Sequence, residues 1–320
     1  MIGSMPRRTT TLALAAALTL GVAACDGTPG RGAGAAAPAS PAPAPLDLSR
    51  LKPAFPFQGR IVFQSDADGR NEIYGLSRIG VRKLTDSAWS HEYPRWSPDG
   101  TRIAFAANPR GNYDIFVMAA DGSGVRAIVD SPADETEPAW LPEGTGLAFV
   151  RGGALWTIDF ATKAERRAVP GFDREHGLSD FAGRGGLATF TGNRLIGWDV
   201  FALDPARGTA VALTEGGRSC RPRFSPDGRT IAYVSTVADG KGDIWIMASD
   251  GSGKERLTER SDTVDYFPAW SPDGKSIVFC SSGQHSPRQG RWSLFLVRTA
   301  TKRVIPLFSG FERALFPDWR

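Results

Sequence analysis

The sequence predicts an all-β fold: a six-bladed β-propeller of four-stranded blades, closed by the C-terminal strand joining the first blade. Three observations carry this expectation. A strand-turn-strand unit recurs six times at the spacing of one blade, turn-forming residues abound, and the two ends of the chain complement each other. The unit is clearest at Pro268-Ala269-Trp270-Ser271-Pro272-Asp273-Gly274, followed by Lys275-Ser276-Ile277-Val278-Phe279. Ser-Pro-Asp-Gly suits a type I turn, because Pro presets φ, Asp bonds back to the backbone and Gly takes the exit. The flanking Trp270 and Ile277-Val278-Phe279 are of the types that half-buried strands favour.

Aligning on the aromatic that precedes the turn gives Trp96, Trp140, Phe181, Phe224, Trp270 and Trp319, with steps of 44, 41, 43, 46 and 49 residues. A second strand follows in each copy: Ile61-Val62-Phe63, Ile103-Ala104-Phe105, Leu147-Ala148-Phe149, Leu187-Ala188-Thr189, Ile231-Ala232-Tyr233 and Ile277-Val278-Phe279. The third strand is marked by Ile73-Tyr74, Ile115-Phe116, Leu155-Trp156, Val200-Phe201, Ile244-Trp245 and Leu294-Phe295. A fourth is clearest at Lys83-Leu84-Thr85, Ala212-Leu213-Thr214 and Arg256-Leu257-Thr258. The first copy lacks a leading strand, while the chain terminates at Phe316-Pro317-Asp318-Trp319-Arg320, a leading strand with nothing after it. Closure of a ring uses both.

The chain has 320 residues, 41% hydrophobic and 22% charged, with 37 Gly and 23 Pro, enough to bury a large core between many turns. Its formal charge of +4 includes Arg7 and Arg8, and no basic run resembles a nucleic-acid footprint. Residues 1–24 read as a lipoprotein signal peptide, with a positive start at Arg7-Arg8 and an apolar stretch from Leu12 to Ala23. Val22-Ala23-Ala24-Cys25 resembles a bacterial lipobox, which implies cleavage before Cys25, lipidation of its thiol and a membrane anchor. Residues 25–57 read as a disordered Ala/Pro/Gly tether, and residues 58–320 as the propeller.

With the repeat in place, Pro-x-Trp-Ser-Pro-Asp-Gly, Ile-Ala-Phe, Asp-Ile-Phe-Val-Met, Asp-Gly-Ser-Gly and Arg-Leu-Thr together resemble the repeat of TolB-type propellers over residues 58 to 319. Blade four departs most, with Ala182-Gly183-Arg184-Gly185-Gly186 in place of the turn. The folded α/β domain that precedes the propeller in TolB has no counterpart in the tether. The resemblance implies an exported, periplasmic or membrane-anchored protein of the cell envelope. It also implies a protein or peptide partner, a Pal-like lipoprotein among the candidates, bound by a monomeric propeller.

No Gly-x-Ser-x-Gly elbow, His-Glu-x-x-His pair, P-loop or closely spaced metal-binding Cys set occurs. The acidic stretch Asp66 to Glu72 lacks EF-hand spacing and reads as a plain turn. The innermost strands of a propeller line its channel, so residues at their starts are expected to ring one mouth. Three residues before the Pro position these are His91, Glu135, His176, Ser219, Asp265 and Ala314; the next column is Glu92, Thr136, Gly177, Cys220, Tyr266 and Leu315. His91, Glu135, His176 and Asp265 are candidate ligands for a divalent metal cofactor. Glu92, Tyr266 and the loop residue Trp89 join them as candidate contacts of a binding mouth. The other tryptophans are expected to pack between blades, and the turn hairpins to touch no ligand. Cys220 and Cys280 are a candidate disulfide and His285 has no assigned role. Two functions are left: a non-catalytic envelope lipoprotein that binds a partner, and a metal-dependent hydrolase or lyase acting on saccharide or peptide at the channel mouth.

Overall fold

In the computed structural model the described residues are 47–169, 180–181, 186–193, 197–283 and 290–320. They form six antiparallel four-stranded sheets arranged as the blades of a propeller. From inside to outside, blade one is Leu315–Trp319, Ile61–Ser65, Glu72–Ser77 and Gly80–Lys83. Blades two to six each take four consecutive strands, with inner strands His91–Trp96, Glu135–Trp140, Asp180–Phe181, Ser219–Phe224 and Val264–Trp270. The second strands are buried almost throughout, since each blade lies between two others.

The ring closes as expected. Ile61 pairs with Trp319, Val62 with Asp318 and Gln64 with Leu315. Arg320 donates its backbone N–H to the Arg60 carbonyl at 2.8 Å, and the Trp319 indole donates to the Gln58 carbonyl at 2.9 Å. Residues 47–57, expected as tether, instead pack against the propeller. Leu48, Leu51 and Phe55 rest on the core, Phe57 is buried edge-on to Trp319 at 5.6 Å, and the Ala54 N–H reaches the Leu307 carbonyl at 2.8 Å. The large apolar residues Leu48, Leu51, Phe55 and Phe57 are what allow this.

The turn unit repeats at the atomic level. Ser97, Ser225 and Ser271 each donate a hydroxyl hydrogen to the Asp two residues on, at 2.5–2.6 Å, and each Oγ accepts an N–H from five residues on, at 2.9–3.0 Å. The closing glycines, Gly100, Gly228 and Gly274, have φ of +68°, +72° and +69°. Such values explain why glycine occupies that place.

A second repeated device ties the fourth strand to the third. Thr85, Thr214 and Thr258 each accept the N–H of Ile73, Val200 and Ile244 at 2.9–3.0 Å. Each also donates its hydroxyl to the acid just before that residue: Glu72, Asp199 and Asp243. The acid that recurs before the third strand is therefore structural.

Candidate functional site

The described residues three places before the proline position are all buried, and each polar one has a partner in its own neighbourhood, although Glu135 Oε2 and Asp265 Oδ2 are buried without one. His91 Nδ1 lies 2.9 Å from Glu72 Oε2, and although burial works to raise the Glu72 pKa, hydrogen bonds from His91 and Thr85 hold it below its ordinary range. Glu135 accepts from Ser131 Oγ at 2.5 Å and from Arg151 Nε at 2.7 Å. Asp265 accepts from Arg260 Nη2 at 2.7 Å and from Ser281 Oγ at 2.6 Å. Ser219 bonds to Ser235, and Ala314 is apolar. Glu92 takes hydrogen bonds from Asn71 and Tyr113 at 2.8 and 2.7 Å, and burial raises its pKa.

Tyr266, expected at a mouth, is only 2% exposed and packs on Phe267 and Trp292, whereas Trp89 is 39% exposed. His176 and the lipobox Cys25 lie outside the described residues. Among the described residues no three His, Cys, Asp or Glu side chains gather as metal ligands. An arginine set against Glu135 and another against Asp265 also oppose a cation at these carboxylates. Cys280 is a free, buried thiol and so is not bridged to Cys220. The two sit in different blades, Cys280 paired with Tyr266 and Cys220 with Val234. The acidic turn behaves as a turn: Asp68 bonds Tyr74 and Lys83, and Asp66 bonds Arg313.

The axis itself is built from the middle and the end of each inner strand. Tyr93, Glu137, Arg221, Phe267 and Phe316, each just before a proline, have φ between +51° and +60°. Left-handed backbone at non-glycine residues costs on the order of 1–3 kcal/mol apiece, so the surroundings must hold it. Two of these N–H groups are held by side chains of the preceding blade: Tyr93 donates to Gln64 and Arg221 to Thr191. The bulges bring the five side chains together as a plug. Phe316 lies 4.7 Å from Tyr93 and 4.0 Å from Phe267 between ring centroids. Arg221 stacks 5.0 Å over Phe267 and pairs with Glu137 at 3.2 Å.

Two residues further on, immediately before each aromatic, the six blades supply Asp318, Arg95, Ala139, Asp180, Arg223 and Ala269 in ring order. The pattern Asp-Arg-Ala occurs twice around the axis. Arg95 Nη2 meets Asp180 at 2.8 Å and Arg223 meets Asp318 directly. Longer approaches of 3.9 Å (Arg95 to Asp318) and 3.6 Å (Arg223 to Asp180) complete a charged ring. The alanines leave room for each guanidinium to reach past the intervening blade. Each Asp also accepts a backbone N–H from the next blade, Asp318 from Trp96 at 2.6 Å and Asp180 from Phe224 at 2.8 Å.

This ring floors a funnel of about 390 Å³. Its walls are Trp96, Trp140, Trp270 and Trp319 with Phe181 and Phe224, and its rim carries the turn prolines Pro98, Pro142, Pro226 and Pro272. The tryptophans do pack between blades, as expected. The Trp140 indole donates to the Arg95 carbonyl at 2.9 Å and the Trp270 indole to the Arg223 carbonyl at 3.0 Å. The turn hairpins, expected to touch no ligand, form the rim of this funnel. The column before the aromatic was readable in the alignment, where its alternation of Asp, Arg and Ala was the available signal.

The fold is that of a TolB-like six-bladed β-propeller. TolB from Acinetobacter baumannii superposes with a TM-score of 0.70 at 20% identity, over 83% of this chain and 67% of that one. A protein assigned as TolB from Agrobacterium tumefaciens gives 0.61 at 21% identity, over 79% and 92%. An oligogalacturonate lyase in complex with manganese gives 0.54 at 16% identity, over 80% and 74%. In sequence, an uncharacterized protein of Agrobacterium fabrum is 40% identical over 94 residues, 29% of this chain and 31% of that protein. The uncharacterized peptidase YuxL of Bacillus subtilis is 37% identical over 81 residues, 25% of this chain and 12% of that protein. The match thus spans under a third of either relative. No family profile matches the chain.

Proposed function

We propose that this chain is a non-catalytic cell-envelope lipoprotein whose funnel receives an extended segment of a protein partner. The observation that carries the reading is the funnel itself: aromatic and proline walls above a floor of mutually compensated charges. Its volume of about 390 Å³ suits a few residues of peptide. Indole faces and proline rings favour apolar side chains and prolines, while the floor offers both donors and acceptors to a polar group that reaches it. Anchoring through Cys25 would hold the propeller at the outer face of the cytoplasmic membrane or in the periplasm, where such a partner is met. The likeness to TolB structures supports the reading at the level of fold.

The test is quantitative capture from the native envelope using full-length protein. Pro226→Glu with Pro272→Glu should lower recovery of the main partner at least tenfold, since both prolines are exposed at the rim. Trp89→Ala, at a loop outside the funnel lining, should leave recovery unchanged. The reverse outcome removes the funnel as the binding site.

A second reading is a metal-dependent lyase or hydrolase using His91, Glu135, His176 and Asp265. It draws support from the likeness to the manganese-bound oligogalacturonate lyase. Stoichiometric metal in the purified protein, lost on His91→Ala together with turnover of a saccharide or peptide, would favour it over partner binding.

A further inference from the structure

Between the charged ring and the aromatic plug lies a small chamber of about 10 Å³ on the axis. Its lining includes Arg95, Arg221 and Arg223 with Tyr93, Phe267 and Phe316, and is completed by prolines. No carboxylate lines it. Asp180, Asp318 and Glu137 reach the guanidiniums from outside the chamber. Asp180 bonds Nη2 of Arg95, Glu137 bonds Nη1 of Arg221, and Asp318 bonds Nη2 of Arg223. Arg95 is 5% exposed, and its Nη1 is buried with no hydrogen-bond partner.

We propose that this chamber is a binding site for one monatomic anion of the halide class, held chiefly by Arg95. A space of this size admits about one water-sized sphere, which excludes sulfate, phosphate and carboxylates. Guanidinium groups donate and cannot accept. The three guanidiniums would give a water here donors but no acceptor for its own hydrogens. A halide, accepting from every direction, suits that lining. The electrostatics agree: burial, and then the nearby Arg223 charge, push the Arg95 pKa down to about 10. An anion between the arginines relieves both effects.

The experiment uses full-length protein exchanged into sodium bromide. Diffraction at the bromine absorption edge should give an anomalous peak in the chamber beside Arg95. In parallel, unfolding is followed in chloride, bromide and gluconate at one ionic strength. Chloride and bromide should raise Tm saturably by about 2–4 °C over gluconate, the signature of a single site on the native state. Arg95→Gln should abolish that increment; if the variant does not fold, the two wild-type measurements decide. A chamber without anomalous signal, or a Tm that follows ionic strength whatever the anion, overturns the proposal in favour of a bound water.

Discussion

Arg223 of blade five and Asp318 of blade one form an ion pair across the propeller axis, reaching past Ala269 of blade six. Its pseudosymmetric counterpart, Arg95 with Asp180, reaches past Ala139 of blade three. Burial works against the Arg223 charge, yet Asp318 and Asp180 raise its pKa. Removing one partner should therefore strand the other in a low-dielectric site. Asp318→Asn or Arg223→Gln alone is expected to cost about 3–5 kcal/mol in urea unfolding. The double variant should cost clearly less than the sum, because no orphaned charge is left. Additive losses would mean that the pair is not coupled.

Closure by the C-terminal strand predicts that deletion of residues 314–320 lowers Tm by more than about 10 °C. Strand Leu315–Trp319 is buried along its whole length and supplies Phe316 to the plug and Asp318 to the ring. A melting curve like that of the intact chain would refute the role given to this strand.

Asp243 predicts a pH dependence. Burial, with Asp239 and Asp265 nearby, raises its pKa to about 7 despite the opposing Arg256. A carboxyl raised in the folded state holds a proton there that the unfolded chain releases near pH 4. Its favourable contribution is full below about pH 4 and is lost as pH rises to about 7. Asp243→Asn should flatten the change in urea midpoint between pH 4.5 and 7.5 relative to the parent protein. A variant with the parent's slope would place the titration elsewhere.

Cys25→Ala tests the anchor. The parent protein should partition into the detergent phase and sediment with membranes, and the variant should be recovered in the soluble exported fraction. Equal partitioning of the two would remove the lipid from the proposal.

Most of the fold was legible because a blade is a local object. Its Ser-Pro-Asp-Gly turn, alternating strands and acid-threonine tie all lie within one repeat, and repetition turns a weak signal into a firm one. The site was less legible. Polar residues at the inner-strand starts resemble a ligand set in an alignment, yet His91, Glu135 and Asp265 are each engaged by side chains from adjoining strands or loops: Glu72, Arg151 and Arg260. A column of residue types does not record which charges are already matched. The start of the folded body is likewise not legible, since Leu48, Leu51 and Phe55 gain their packing only once the chain's two ends are brought together in blades one and six.

By itself, then, the sequence determined the number of blades, their four-strand make-up and the closure, because these follow from short-range turn chemistry and strand patterning. Only the tertiary structure decided where a funnel opens and what lies along the axis. That required residues from six blades, Trp96 and Asp318 among them at 222 positions apart, to converge where charge, ring faces and strained backbone meet.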